Sequence, residues 1–518
     1  MKSTRSKEEL KDKSWLDILV ERIEGEKKAP YIITGGLTPS GPTHIGTVCE
    51  ILYPSLITSG LGERGHKAAF NFVSDIMDAF DGVPFELKAY EKELAKDLGK
   101  PLMNVLDPLR CHESYGEHYL AEMLGVARML GLNFDVTRSS ELYSSGKMDS
   151  YAKLFLKEEA RTKEVVARSS LRPIERMADW SPIMPICAQC GKIATTRVTK
   201  HGEDEYEYAC DKDVRYTKGC GHKGRAKISD HKYKLTWRLH WPTWQAVFQS
   251  SAEGAGVDHF TRGGSVDTAV AVHKEILGRE PPIGYKWGFI LFDGKKLSKS
   301  QGIGATARDL LKIEPPEVIK YLLAKPDLEQ NKDMLTRGDS LMLVYGELEK
   351  LGASQIENLE KRNDVKNFLA FRSAVKKLGW SAPFVDVLLY YQIYREWDRV
   401  AQVVGDEQGV GYLAPYIEEW VRQRLEPERY NFTIQKTKIT ELNDHVAGFA
   451  ARLEDGMKDI DVHNLIYDFA KSKGIGSEEL FKAIYRALIG KDSGPKLGKF
   501  IYAIGIAKVR EMLQYAAS

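Results

Sequence analysis

One short segment constrains this chain more than any other. Pro30-Tyr-Ile-Ile-Thr34 reads as a buried strand, Gly35-Gly-Leu-Thr-Pro-Ser-Gly-Pro42 as a tight loop, and a helix begins near His44. A strand that turns through glycine and proline into a helix aims backbone N–H groups at an anion, and the helix N-terminus adds partial positive charge. Gly41 and Gly46 would let a nucleotide approach the main chain, and a neutral His44 can donate a hydrogen bond to a phosphate oxygen. The plainer alternative is an ordinary strand-to-helix turn with His44 as its cap.

The surrounding pattern favours a nucleotide-binding α/β domain. Apolar residues recur at helical spacing over 8–24 and 117–132, and Ala68–Val73 and Tyr285–Phe292 are apolar runs of strand length. Strands alternating with helices imply a parallel sheet covered on both faces. From about residue 305 the pattern is mostly helical, with Pro315-Pro316, Pro415 and Gly494-Pro495 expected at helix starts or breaks. At 518 residues the chain has room for about three or four domains. With 43% hydrophobic and 29% charged residues it is too apolar for a disordered protein. No run approaches the ~18 apolar residues of a membrane span, and the N-terminus lacks a signal-peptide core. A cytoplasmic protein without a membrane partner is expected. A net charge of +2 neither requires nor excludes nucleic acid, so basic regions must be read locally.

Four of the six cysteines, Cys187, Cys190, Cys210 and Cys220, fall within one short stretch. Two thiolates at CxxC spacing and two from a second hairpin can complete a tetrahedral zinc site, with His222 as an alternative ligand. Such a site would hold together a small insertion with little core of its own. From Cys187 to His240 there are 12 Lys/Arg against 7 Asp/Glu, a local basic surplus. Cys49 and Cys111 are expected as buried small hydrophobes. The acidic loop Ser74–Asp81 reads as a solvated turn.

A second segment, Lys295-Lys-Leu-Ser-Lys-Ser-Gln-Gly302, follows a strand and suits a loop that closes over a polyphosphate. In isolation it would read as a solvated basic turn. As a pair, His44-Ile-Gly-Thr47 and Lys296-Leu-Ser-Lys-Ser300 resemble the HIGH and KMSKS motifs of class I aminoacyl-tRNA synthetases. Leu235-Thr-Trp-Arg-Leu-His-Trp-Pro242 is similar to a stretch of the class I lysyl and glutamyl enzymes. Asp258-His259 with Gly263–Thr268, and Gly490–Gly498, resemble the class I lysyl-tRNA synthetases, and the likeness runs from about residue 14 to 515. Three positions depart from that pattern: Thr47, His240, and the placing of the second lysine at 299.

The resemblance implies activation of L-lysine by ATP with Mg2+, then transfer to the 2′-hydroxyl of the terminal adenosine of tRNA(Lys). It places Pro39, Ser40, Gly41, His44, Gly46, Thr47, Lys296, Ser298, Lys299 and Ser300 at ATP, with His44, Gly46, Lys296 and Lys299 in the chemistry. Gly36, Thr38, Trp237, His259 and Tyr285 surround the amino acid, Trp237 being equally readable as core. Glu50, or else Asp258, would pair with the side-chain ammonium, although Glu50 also reads as a surface residue favouring a helix start. The implied architecture is a Rossmann-type catalytic domain in two halves, 1–184 and 231–304, split by a zinc-binding insertion at 185–230. A helical stem-contact domain at 305–350 and an all-α anticodon-binding domain at 351–518 would follow, in a monomer. A glutamyl-like specificity, a non-catalytic tRNA-binding paralogue and a related nucleotidylyltransferase are the alternatives.

Overall fold

The structure is a computed structural model that describes residues 13–296, 306–355, 359 and 362–518. It divides into two units. The first comprises the chain up to Leu311 with Ile319–Met334 and Leu359–Val375; the second comprises Lys312–Val318, Leu335–Asn358 and Lys376–Ser518.

The first unit is built on a parallel sheet. Its strands are β1 (Tyr31–Leu37), β2 (Ala68–Ser74), β3 (Asp135–Arg138), β11 (Ala252–Gly256) and β12 (Ile283–Trp287), in the order β12-β11-β1-β2-β3. The chain thus builds outward from β1 on one side and later returns to its other side, a reversal of winding between β1 and β11. In open parallel sheets the crevice at the carboxyl ends of such strands is where ligands bind. Helix α1 (Trp15–Glu26) starts at a Ser14/Asp17 capping box, and α2 (Ile45–Glu63) crosses over between β1 and β2. Residues 8–12 of the expected first helix lie outside the described residues. Helix α2 is buried nearly all round, by Val48, Cys49, Ile51, Leu52, Tyr53, Leu56 and Ile57. Pro54 lies within it and cannot bond the Glu50 carbonyl one turn back, and Gly35 on β1 leaves room there, since a Cβ would stand 3.2 Å from that oxygen.

The insertion enters through β4 (Ile183–Pro185). It then forms an antiparallel sheet of β5 (Arg197–His201), β6 (Glu205–Ala209) and β9 (Lys223–Lys227), with a small hairpin of β7 (Asp213–Val214) and β8 (Thr217–Lys218). It leaves through β10 (Tyr233–Leu235), which pairs antiparallel with β4. Tyr206, Tyr208 and Ile228 of the insertion share one apolar core with Phe155, Val165 and Leu239.

The apolar run Tyr285–Phe292 is two strands rather than one. Gly288 separates β12 from β13 (Ile290–Phe292), because a Cβ at 288 would meet the Gln330 carbonyl oxygen at 2.5 Å and the chain is turned there. β13 joins a different sheet, between β14 (Lys295–Lys296) and β15 (Lys332–Met334).

Among its described residues, the regular secondary structure of the second unit is helical, from Gly338–Gly352 to Ile506–Ala517. Tyr345, Phe384 and Trp420 meet at its centre, with Tyr345 and Phe384 stacked at 3.8 Å and Trp420 donating to the Ile313 carbonyl at 2.8 Å. Pro316 and Gly494-Pro495 fall at helix boundaries as expected. Pro415 does not; it lies inside Glu407–Gln423, a helix buried along Val410, Leu413, Ile417 and Trp420, and that packing outweighs one lost backbone bond. The Rossmann-type sheet and the all-α C-terminal region are the architecture that the sequence implies.

Candidate active site at the reversal of the sheet

The first motif leaves the end of β1 and opens α2. His44 is the N-cap of α2, with extended backbone and no side-chain cap bond, so α2 is not closed off by its own side chains. The Thr47 N–H donates to the His44 carbonyl at 2.9 Å. The loop before it is fixed from outside: the Thr43 N–H donates to Glu122 at 2.8 Å, and Tyr115 donates to the Ser40 carbonyl at 2.8 Å. Pro39 is buried and Ser40 exposed. Gly41 passes Pro84, where a Cβ would stand 3.2 Å from the ring.

Gly36 and Gly46 are glycines for opposite reasons. At Gly36 a Cβ would lie 2.7 Å from the Val73 carbonyl oxygen and 3.3 Å from Trp244, so packing alone demands glycine. At Gly46 no other side chain or element among the described residues lies within 4 Å of a Cβ position. Among the described residues nothing excludes a side chain in the first turn of α2, and a helix N-terminus of this kind can receive a phosphate-bearing ligand.

The second motif is delivered by a hairpin. Asp293 and Gly294 both have positive φ, 45° and 77°, and join β13 to β14 as a two-residue turn, which places Lys296 opposite Leu291. The side chain of Lys296, and Ser298, Lys299 and Ser300, lie outside the described residues. Farther along the chain, Thr306 makes an antiparallel bridge with His44, and the Ala307 N–H donates to the Thr43 carbonyl at 2.8 Å.

Between β1, β11 and β12 the crevice is acidic. Glu50, half-buried on the second turn of α2, lies near Glu253 and Asp258, and enclosure together with these two carboxylates pushes its carboxyl well above the usual range. Among the described residues no hydrogen bond or ion pair reaches Glu50. The Tyr285 hydroxyl, close to both Glu50 and Glu253, is buried without a hydrogen-bond partner. Glu253, absent from the sequence reading, is the organising anion. It faces Thr34 in the β1–β11 register and accepts from Thr34 Oγ1 at 2.7 Å, Trp241 Nε1 at 2.9 Å and Trp244 Nε1 at 3.1 Å. Trp237 stacks on Trp241 and donates to Ser265 at 3.2 Å; His259 lies edge-on to Trp241, 3.9 Å from Asp258. Among the described residues no lysine or arginine pairs with Glu50, Glu253 or Asp258, and carboxyl groups beside aromatic rings suit a cationic ligand.

The loop after β2, read as a solvated turn, is partly buried. Asp75 is buried and ion-paired with buried Lys234 at 2.7 Å, and Lys234 reaches Asp78 at 3.0 Å. His240, fully buried, is held neutral by burial and the Lys234 ammonium. Tyr143 accepts the Leu235 N–H at 2.8 Å and its hydroxyl is hydrogen-bonded with His240 Nδ1 at 2.9 Å, while His240 Nε2 faces Asp75 at 3.6 Å. His240 therefore belongs to a core network and lines no ligand surface.

Two clusters have the donor sets of metal sites. The sulfurs of Cys187, Cys190, Cys210 and Cys220 lie within 4.8 Å of one another, with Cys187–Cys220 and Cys190–Cys210 at 3.7 Å. Four thiolates about 2.3 Å from one zinc ion would be spaced about 3.8 Å apart. His222 takes no part; its carbonyl accepts from the Cys210 N–H and its ring faces Tyr208. The second cluster joins Asp107, Cys111, His112 and His118. Cys111 Sγ stands 3.3 Å from Asp107, 3.2 Å from His112 Nδ1 and 3.3 Å from His118 Nδ1. Cys111 is exposed, so the expectation of a buried hydrophobe was wrong. The Asp-x3-Cys-His-x5-His spacing was visible, but it mixes three donor types and has no CxxC signature.

A crevice at the reversal of a parallel sheet, with a helix N-terminus on one side and grouped carboxyl groups on the other, is the architecture of a doubly wound, Rossmann-type domain. A sequence profile described as tRNA synthetases class I (K) matches residues 13–371. A lysine–tRNA ligase of Archaeoglobus fulgidus is 30% identical over 97% of this chain and 99% of its own. That of Thermoplasma acidophilum is 29% identical over 96% and 98%. The glutamate–tRNA synthetase of Elizabethkingia anophelis superposes with a TM-score of 0.43 at 13% identity, covering 94% of this chain and 99% of its own. The chain belongs to the class I lysyl-type (K) tRNA synthetase family.

Proposed function

We propose that this chain activates L-lysine with ATP and transfers it to the 2′-hydroxyl of the terminal adenosine of tRNA(Lys). The observation that carries this reading is the grouping of Glu50, Glu253 and Asp258, which among the described residues has no lysine or arginine partner. It also weighs against the glutamyl-like alternative, since a substrate side-chain carboxylate would be placed against further carboxyl groups.

The lysine carboxylate attacks the α-phosphorus of ATP in line, giving lysyl-adenylate and pyrophosphate. Catalysis is positioning plus charge stabilisation. The backbone at Gly46 and Thr47 and the His44 side chain face the phosphates on one side, with Pro39, Ser40 and Gly41 shaping the loop. Lys296, Ser298, Lys299 and Ser300 act on the departing pyrophosphate, and Mg2+ accompanies the triphosphate. Gly36, Thr38, Trp237, His259 and Tyr285 surround lysine, and Glu50 takes its ε-ammonium.

The four-cysteine cluster fits structural Zn2+, which would cross-link the ends of the insertion at 185–230. The donor set of Asp107, Cys111, His112 and His118 suits a second Zn2+, which would tie the loop at 107–112 to the helix Tyr115–Met129. The basic insertion guides the acceptor end of tRNA through backbone contacts, 305–350 meets the stem, and the helices of 351–518 read the anticodon. ATP–pyrophosphate exchange with each amino acid in turn, with and without tRNA, tests the reading. Exchange with lysine above all others supports it, and exchange with glutamate alone overturns it.

A further inference from the structure

We infer that Asp78, pinned by Lys234, fixes Thr38 as a hydrogen-bond acceptor for the α-ammonium group of the amino acid substrate. This rests on reading the crevice as an amino-acid-activating site.

Thr38 Oγ1 donates its single hydrogen to Asp78 Oδ2 at 3.0 Å. A hydroxyl whose hydrogen is committed offers only lone pairs to whatever else approaches it. Asp78 cannot turn away, because its other oxygen accepts from Lys234 Nζ at 3.0 Å, and Lys234 is anchored in turn on Asp75 at 2.7 Å. The three charged groups run from core to crevice: the side chain of Asp75 is 0% exposed, that of Lys234 2% and that of Asp78 41%. Two carboxylates against one ammonium leave a net negative charge at the open end, beside the acceptor of Thr38. That chemistry repels phosphate and attracts an ammonium group. Lys234 itself is no phosphate ligand, since its ammonium is buried and both its partners are carboxylates.

The position suits the α-amino end of the substrate. Thr38 lies two residues beyond Gly36, whose backbone passes Trp244. Trp244 donates to Glu253, the anion at the side-chain end of the pocket, and packs edge-on to His240 at 5.0 Å. Asp78 and Lys234 are positioning residues here, and the α-ammonium meets Thr38.

The test uses the full-length enzyme and Asp78→Asn. The asparagine carbonyl can still accept from Lys234, so its NH2 faces Thr38; the threonine must then accept, and its hydrogen turns into the crevice. In pyrophosphate exchange the KM for lysine should rise about 10-fold or more while the KM for ATP stays within about two-fold. Inhibition by 6-amino-2-hydroxyhexanoate, which replaces the α-amino group by hydroxyl, separates this from a structural defect. The wild type should discriminate against it by about 10-fold or more, and Asp78→Asn should bring the two ligands near parity. Thr38→Val should copy that loss and Thr38→Ser should restore discrimination, and this pair carries the test if Asp78→Asn does not fold. Unchanged amino/hydroxy discrimination in Asp78→Asn and Thr38→Val, or equal rises in both KM values, overturns the inference. If the wild type activates a different amino acid, the lysine assignment fails, and the same comparison with that amino acid and its hydroxy analogue still decides the role of Asp78.

Discussion

Thr306 is bridged to His44, so the chain that leaves the Asp293-Gly294 hairpin with Lys296 returns to the residue that starts α2. The segment after the second motif is thereby joined to the first motif by main-chain pairing. Replacing His44 by alanine leaves that backbone pairing intact and removes the imidazole. Adenylate formation should fall about 100-fold, with little change in the lysine KM, in pyrophosphate exchange under saturating ATP.

Gly46 gives a prediction in which stability and activity move apart. Alanine is a better helix former than glycine, and nothing among the described residues obstructs its methyl group. Gly46→Ala should raise the melting temperature slightly, by up to about 1 kcal/mol of stability. Gly46→Leu should fold and lose ATP binding about 10-fold or more, measured by nucleotide titration, because it fills the space before the helix end.

Glu50 is the residue whose protonation should couple to lysine. Its carboxyl is raised by enclosure and by Glu253 and Asp258, so the empty site holds it protonated over a wider pH range than a free glutamate. Pairing with an ammonium group favours the ionised form, so lysine binding should release a proton, and affinity should rise with pH while this carboxyl titrates. Calorimetry in buffers of different ionisation enthalpy reads that proton. Glu50→Gln should abolish the release and raise the lysine KM about 10- to 100-fold with the ATP KM unchanged.

The metal reading predicts a stoichiometry. Denatured protein should release two zinc ions per chain to a chelating dye. Cys190→Ser and Cys111→Ser should each remove one, and the double variant both. Loss from one variant alone would assign metal to a single cluster.

His273 makes the first unit sensitive to acid. It is buried, its Nε2 donates to Gln245 at 2.9 Å, and burial lowers its folded pKa from 6.5 to about 4. Between those values the unfolded chain binds the additional proton, so stability present above pH 6.5 is lost as pH falls toward 4, by about 3 kcal/mol at most. His273→Asn keeps a donor toward Gln245 without titrating. Its unfolding midpoint should fall less than that of the wild type between pH 7 and pH 4.5.

What could be read from the residues in advance was what is written locally. The strand, loop and helix around His44 follow from turn chemistry, and the four-cysteine set from CxxC spacing. What escaped was set by distance in sequence. Glu253 acts through Thr34, Trp241 and Trp244, which no periodicity connects. Asp78 looked like one more surface carboxylate because its partners, Thr38 and Lys234, are 40 and 156 residues away. Gly288 divides the strand-length run Tyr285–Phe292 because the backbone at Gln330 presses against it. A run of hydrophobic residues reports burial without reporting which sheet buries it.

The insertion is a hairpin by its covalent path, entering on β4 and leaving on the adjacent β10. By packing it is no appendage, since Tyr206, Tyr208 and Cys187 sit in the same apolar cluster as Phe155 and Leu239. Lys234, the clamp on Asp78, stands on its exit strand. If zinc fills the cysteine cluster as proposed, a chelator that strips it should impair pyrophosphate exchange as well as tRNA charging, because the exit strand that carries Lys234 would lose its anchor.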